Sequence, residues 1–224
     1  MAASLNGMTL PTWASHLEPK PAPMPLLLVQ AFVDTLDTDL GTDVLANAQE
    51  ARAWLADAGL RDLGPPSPAP PSSGRPSSGR PSSGRPDPDL GDDLRLACEV
   101  RESIRALIGR NTADEPLTGN DLEPLEKVLG EAQPRLEVTA DGQVRLGPAL
   151  PSPRLVDGLL GLLVIIRDAQ ADGTWARLKL CGNSDCRWAF YDRSHSRRGT
   201  WCDMASCGNR LKNRNLRARR ARLT

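Results

Sequence analysis

Four cysteines, Cys181, Cys186, Cys202 and Cys207, stand in a C-x4-C-x15-C-x4-C pattern near the end of a 224-residue chain. Two short-range pairs separated by a hairpin-sized insert supply four soft ligands, the donor set of a closed tetrahedral zinc site. Thiolates suit Zn(II), which accepts tetrahedral geometry readily. The same four ligands also suit an iron–sulfur cluster, and paired cysteines are the raw material of disulfides. A disulfide scaffold fits this chain poorly. The cysteine count of five is odd, and the opening Met1-Ala-Ala-Ser-Leu-Asn-Gly7 has neither the basic region nor the apolar core of a secretory leader. The segment around the cysteines is only about 40 residues, too small to hold a core unaided, so a metal is expected to supply much of its folding free energy. A site closed by four thiolates leaves no open position for water or substrate, so the expected zinc is structural. The fifth cysteine, Cys98, falls in a helical pattern and is most simply a core residue.

The second chemistry-bearing feature is positive charge. Residues 175–224 carry 13 Lys and Arg against the three acids Asp185, Asp192 and Asp203, a net of +10, while residues 1–174 carry 15 basic and 25 acidic residues, a net of −10. The chain is neutral only on average, and halves this different suggest two jobs. Four thiolates around one Zn(II) add about −2, so the basic module keeps roughly +8. The residues after Cys207 contain good helix formers and no proline, which predicts a helix from about Gly208. Arg210, Arg214 and Arg217 then share one face, and Lys212, Arg219 and Arg220 widen it. Arg197 and Arg198 sit in the polar turn of the cysteine insert. Arginine binds phosphates and reads guanine edges bidentately, so these eight residues are the candidate DNA contacts. A solvated basic tail has the same composition. The insert also holds the aromatic, strand-like run Arg187-Trp-Ala-Phe-Tyr-Asp192, and Gly199-Thr-Trp201 leads back to the second cysteine pair. Trp188, Phe190 and Trp201 are expected to form a small core around the metal. Exposed instead, they would stack single-stranded bases, the signature of an RNA binder. His195 reads as an exposed turn residue.

The elements that position these groups follow from periodicity. Residues 1–24 are Pro-rich and aperiodic, and are expected to be disordered. From Pro25, Leu27, Leu28, Ala31, Phe32, Thr35 and Leu36 repeat at helical spacing. A second helix is expected from about Asn47 to Ala58 with Gly59 as its stop. Residues 65–88 hold nine of the 20 prolines and three tandem Pro-Ser-Ser-Gly-Arg copies starting at Pro71, Pro76 and Pro81, the composition of a flexible tether. Helix returns over Asp89 to Arg110 and again over Asn120 to Leu129. Arg135-Leu-Glu-Val-Thr and Gln143-Val-Arg-Leu alternate at period two around Asp141-Gly142 and predict a hairpin. A last amphipathic helix spans about Ser152 to Ala171. Its apolar run Leu155 to Ile166 contains Asp157 and is about half the ~20 residues a membrane span requires. No paired carboxylates, Ser/His/Asp set or phosphate loop stands out, so no catalytic residue is expected.

These residues resemble a known family. Cys181-Gly-Asn-Ser-Asp-Cys-Arg-Trp-Ala-Phe-Tyr-Asp-Arg-Ser, then Arg197-Arg198 and Trp201-Cys202-Asp-Met-Ala-Ser-Cys207-Gly-Asn-Arg210, look like the CGNR zinc finger, named for the Cys-Gly-Asn-Arg found here at 207–210. Upstream, Phe32-Val-Asp-Thr-Leu and Ala53-Trp-Leu-Ala-Asp-Ala-Gly-Leu60 are similar to the ABATE domain that precedes this finger. The resemblance implies a stress-induced bacterial transcriptional regulator whose finger binds DNA. The Pro-Ser-Ser-Gly-Arg tract departs from the pattern and falls inside the ABATE-like region, so it reads as an inserted loop.

The expectation is therefore a mainly α protein with a small β-hairpin. A helical domain over 25–173, interrupted by the loop 65–88, precedes a zinc-bound hairpin-plus-helix module over 174–224. Its function is DNA binding in transcription regulation, in the cytoplasm or on the nucleoid. An RNA-binding protein and a zinc-organised module that docks the transcription machinery are the alternatives. The usage of 24 Arg against four Lys reads as that of a GC-rich bacterial genome.

Overall fold

The computed structural model describes residues 4–5, 8–9, 11–14, 20–61, 88–113, 116–148 and 152–210. The tether over 65–87, His16, and the predicted contacts Lys212, Arg214, Arg217, Arg219 and Arg220 lie outside the described residues. Helices dominate. They are α1 (Leu26–Val33), α2 (Ala48–Asp57), α3 (Pro88–Gly109), α4 (Gly119–Glu131) and α5 (Leu155–Asp172). The strands form four separate two-stranded ladders: β1 (Ser4–Leu5) with β2 (Met8–Thr9), β3 (Leu36–Asp37) with β4 (Thr42–Asp43), β5 (Pro134–Val138) with β6 (Val144–Pro148), and β7 (Leu178–Leu180) with β8 (Ala189–Tyr191). All four are antiparallel.

Helix α1 is the centre of the molecule. Every residue from Leu26 to Val33 except Leu28 is buried, so it is a core helix and not an amphipathic surface one. It packs between α5 and α3. Helix α2 begins where Asn47 caps it, the side chain accepting from Gln49 N and Glu50 N. In α3, Leu96, Ala97, Val100, Ile104 and Ile108 face the core, and Arg95 and Glu102 stay outside as their spacing predicts. The turn joining β5 to β6 is held by Thr139 N donating to Gln143 O at 2.9 Å, and Gly142 takes the left-handed φ of 79° that a β-branched residue would resist.

Residues 20–23 belong to the fold, although their composition reads as disordered. Ala22 is fully buried, its amide donates to Gln30 Oε1 at 2.7 Å, and Lys20 O accepts from Tyr191 N at 3.0 Å. Periodicity is blind to such a strap because it is held by single hydrogen bonds and not by a repeating apolar face. Among the described residues, no helix is long and apolar enough to cross a membrane.

Candidate metal centre

The site is assembled from a hairpin, a loop and one wide helical turn. Strand β7 pairs with β8 in the register Leu178↔Tyr191, Lys179↔Phe190 and Leu180↔Ala189. The aromatic run of the insert is thus a strand, and its partner comes from before the first cysteine. Leu178-Lys-Leu180 is too short for a period-two signal, so its strand character arises only from the pairing. The ladder continues into the site, where Cys181 N donates to Trp188 O at 2.8 Å. Cys186 N and Arg187 N both donate to Asn183 O, at 2.9 and 3.1 Å, closing the first cysteine loop. Gly182 N then donates to Thr200 O at 2.8 Å and draws the second cysteine segment alongside.

The second pair owes its spacing to a π-type turn. Asp203 caps it, accepting from Ala205 N at 3.2 Å and Ser206 N at 2.8 Å. Gly208 N donates to Asp203 O at 3.2 Å, five residues back. A five-residue repeat over Met204–Gly208 returns Cys207 to the side of Cys202, with the sulfurs 3.7 Å apart.

All four Sγ atoms lie within 4.8 Å of one another, and all four cysteines are buried. Cys186 and Cys202 are 3.8 Å apart at sulfur. A regular tetrahedron with Zn–S bonds of ~2.3 Å has edges of ~3.8 Å, so the residues fit a metal held by four thiolates. A disulfide needs ~2.05 Å, and all five cysteines of the chain are free. Phe190 floors the cluster at 1 % exposure, with Trp188 and Trp201 packed at its sides. Asn183 aims its side-chain amide at Cys207 Sγ from 3.9 Å. Packed this closely, the thiols compete for charge. Contacts from Cys186 and Cys202 pull the Cys181 thiol down to about 2, while the Cys181 contact pushes Cys186 up to about 12. Cys202 is raised as well, by the thiols of Cys181 and Cys186. A dication at the centre eases that conflict by favouring the thiolate form of all four and offsetting half of their charge.

The basic turn is built around Asp192. Its carboxylate accepts from Lys179 Nζ at 3.0 Å, Ser194 N at 3.0 Å and Gly199 N at 2.7 Å. Burial alone would raise this carboxyl, but the bonds from Ser194, Lys179 and Gly199 hold it well below the usual carboxylate range. A Cβ at position 199 would lie 2.7 Å from the Asp192 carboxyl, so only glycine fits that approach. The turn displays His195, Arg197 and Arg198 to solvent, with Arg197 at a positive φ of 53°. Arg210, just beyond the last cysteine, is also exposed but is paired: its Nη1 lies 2.7 Å from Asp39 Oδ1. The hydrogen bond from Arg210 lowers the Asp39 carboxyl.

The module is not an appendage. Leu178, Leu180, Ala189 and Tyr191 belong to the same buried cluster as α1, α3 and α5. Gln30 and Asp34, one helical turn apart, clasp a single residue of β8: Gln30 Nε2 donates to Ala189 O at 3.0 Å, and Ala189 N donates to Asp34 Oδ1 at 2.8 Å. Burial raises the Asp34 carboxyl well above its ordinary value. Arg105 of α3 spans the junction, donating to Val33 O at 2.7 Å and Arg187 O at 3.0 Å. Lys20 Nζ donates to Trp201 O at 2.6 Å and lies 4.8 Å over the Phe190 ring. Thr38 Oγ1 donates to the carbonyls of Asp185 and Cys186. Sequence reasoning assigned none of these residues a role. Isolated polar residues inside apolar helices, Gln30 and Arg105, were the available signal, since a buried polar group needs a partner.

Two family models match the chain. One, CGNR zinc finger, covers residues 177–220 and contains all four cysteines. The other, ABATE, covers residues 26–171 and is described as "Putative stress-induced transcription regulator". These are regulator and zinc-finger types and not enzyme families. No curated protein matches the chain. The ABATE match spans about two thirds of the sequence and includes α1, α3 and α5, which pack against the cysteine module, and on that extent the chain belongs to the ABATE family of transcription regulators and carries a CGNR zinc finger.

Proposed function

We propose that this protein is a DNA-binding transcription regulator whose finger is organised by one structural zinc ion on Cys181, Cys186, Cys202 and Cys207. The observation that carries the reading is the buried four-sulfur cluster with zinc-like spacing, from which two basic segments depart. Arg197 and Arg198 leave from the turn capped by Asp192. Arg210 begins the segment that continues through Lys212, Arg214, Arg217, Arg219 and Arg220. Such residues give sequence-independent affinity through phosphates, and arginines placed in the major groove add readout of guanine. Duplex DNA is favoured over single-stranded RNA by the aromatics. Phe190 is buried under the sulfurs and Trp188 and Trp201 are half-buried, so the aromatic strand offers no open stacking face. A cytoplasmic protein associated with the nucleoid fits this activity.

The test is duplex binding by the full zinc-loaded chain across a salt series, with a chelated control and a single-stranded RNA competitor. Binding that weakens with salt, is lost on chelation and resists RNA supports the reading. Binding that survives metal removal overturns the role of zinc. Arg214→Ala should reduce the magnitude of the salt slope by about one if that side chain neutralises one phosphate. An unchanged slope removes Arg214 from the interface.

A further inference from the structure

The β5–β6 hairpin presents a feature that the finger does not explain. Its four apolar residues share one face, in the directly opposed pairs Leu136↔Leu146 and Val138↔Val144. All four are exposed: Leu136 by 69 %, Val138 by 72 %, Val144 by 67 % and Leu146 by 38 %. Strand β6 lies toward α5, whereas all five residues of β5 are exposed. Among the described residues, no third strand joins this ladder. A two-stranded hairpin is marginal by itself and gains independent stability from further strands and a covered apolar face. An open apolar edge strand is also a template for another strand.

The backbone phase of that edge is fixed. Thr139 N donates to Gln143 O. Residues in an antiparallel ladder alternate between bonding inward and outward, so Arg135 and Glu137 bond to β6 while Leu136 and Val138 direct their amides outward. The outward set also includes Pro134, which faces Pro148; neither has an N–H to lose there.

We infer that β5 pairs antiparallel with β5 of a second copy of this chain, about a two-fold axis at Leu136, giving a four-stranded sheet across a symmetric dimer. In this register the two Leu136 residues exchange N–H···O bonds, and each Val138 N–H donates to the partner's Pro134 carbonyl. Arg135 of each copy then faces the partner's Glu137, twice, on the side opposite the apolar face. Neither Arg135 nor Glu137 forms an ion pair in its own chain among the described residues, and Arg145, which stands opposite Glu137 across the ladder, leaves room on that face for a second cation. The neighbouring registers are disfavoured by charge: an axis at Glu137 opposes two carboxylates, and an axis at Arg135 opposes two guanidinium groups. Of these three registers only the one centred on Leu136 pairs opposite charges, and it is self-complementary as an isologous interface requires. The inference is independent of the metal and of DNA.

Sedimentation of the full zinc-loaded chain from low to high micromolar concentration tests it. The expected result is a shift from the 24.2 kDa monomer to twice that mass. Arg135→Glu places like charges together and should give a monomer with an unchanged circular dichroism spectrum. Adding Glu137→Arg together with Arg145→Glu exchanges the two signs while keeping opposite charges across the β5–β6 ladder, and should restore the dimer. Leu136→Pro removes the central outward N–H without touching the β6 ladder and should also yield a monomer. A wild-type chain that stays monomeric throughout the series overturns the inference. So does a dimer indifferent to both Arg135→Glu and Leu136→Pro, and so does a charge exchange that folds but fails to restore association.

Discussion

Asp192 shows how one side chain can set the geometry of a charged surface. Its three hydrogen bonds join β7, the basic turn and Gly199. Replacing it with Asn retains the shape but leaves the Lys179 ammonium, buried at 7 % exposure, without a counter-charge. Breaking a buried charged hydrogen bond of this kind costs about 1–3 kcal/mol. The pH dependence has a definite sign. Because the folded carboxyl is held below its ordinary value, its stabilising effect is present above the unfolded pKa of about 4 and fades as pH falls through the lower folded value. Denaturant titrations of wild type and Asp192→Asn should therefore differ fully at pH 7 and converge in acid. A gap that is constant with pH would mean that the carboxylate charge plays no part. Asp34 is the opposite case. Burial raises its carboxyl, so the ionised form is disfavoured in the fold, and its Oδ2 has no partner. Asp34→Asn, which keeps an acceptor for Ala189 N, should be neutral or stabilising at pH 7. Asp34→Ala, which orphans that amide, should destabilise by about 1–3 kcal/mol. Equal melting temperatures for the Asn and Ala variants would count against the clasp.

At the scale of elements, the finger is held from two directions: by its sulfurs and by the helices beneath it. The sequence suggests a metal-dependent module that would unfold on chelation. The packing predicts a narrower outcome, because β7 and β8 share the main buried core and are clasped by Gln30 and Asp34. Removing the proposed zinc, or replacing Cys186 with Ser, should release the segments 181–188 and 199–210 to rapid amide exchange. The amides of Phe190 and Lys179, and those of α1, should stay protected. Loss of protection in β7 and β8 along with the cysteine loops would show that the metal carries the hairpin after all. The five helices and the β5–β6 turn were readable because each has a period or a turn signal several residues long, as in Leu155 to Ile166 or Asp141-Gly142. The grouping of the four cysteines was readable from spacing alone. Strand β7 and the strap at Lys20 to Pro23 were not, because their structure comes from tertiary partners distant in the sequence. The π-type turn was also invisible, although the x4 interval between Cys202 and Cys207 fits its five-residue repeat.

For the whole molecule, the opposed charges of the two halves meet at a specific contact. Arg210, the first basic residue after the cysteine cluster, is bonded to Asp39 in the loop between β3 and β4, and Thr38 of the same loop bonds the carbonyl of Cys186. A phosphate at Arg210 would take the place of that carboxylate. The exchange is cheap, since both partners are exposed and such pairs contribute about 0.2–1 kcal/mol. On the proposed DNA-binding function, the acidic half would weaken binding only modestly through this contact. Asp39→Asn should tighten duplex binding by up to about fivefold at low salt, a ratio equivalent to ~1 kcal/mol. The gain should shrink as salt rises, because screening weakens the native pair as well. Fluorescence anisotropy of full-length wild type and Asp39→Asn at two salt concentrations separates the possibilities. Equal affinity at both places Arg210 outside the DNA interface, whereas a gain independent of salt would trace to a change in the loop's shape and not to its charge.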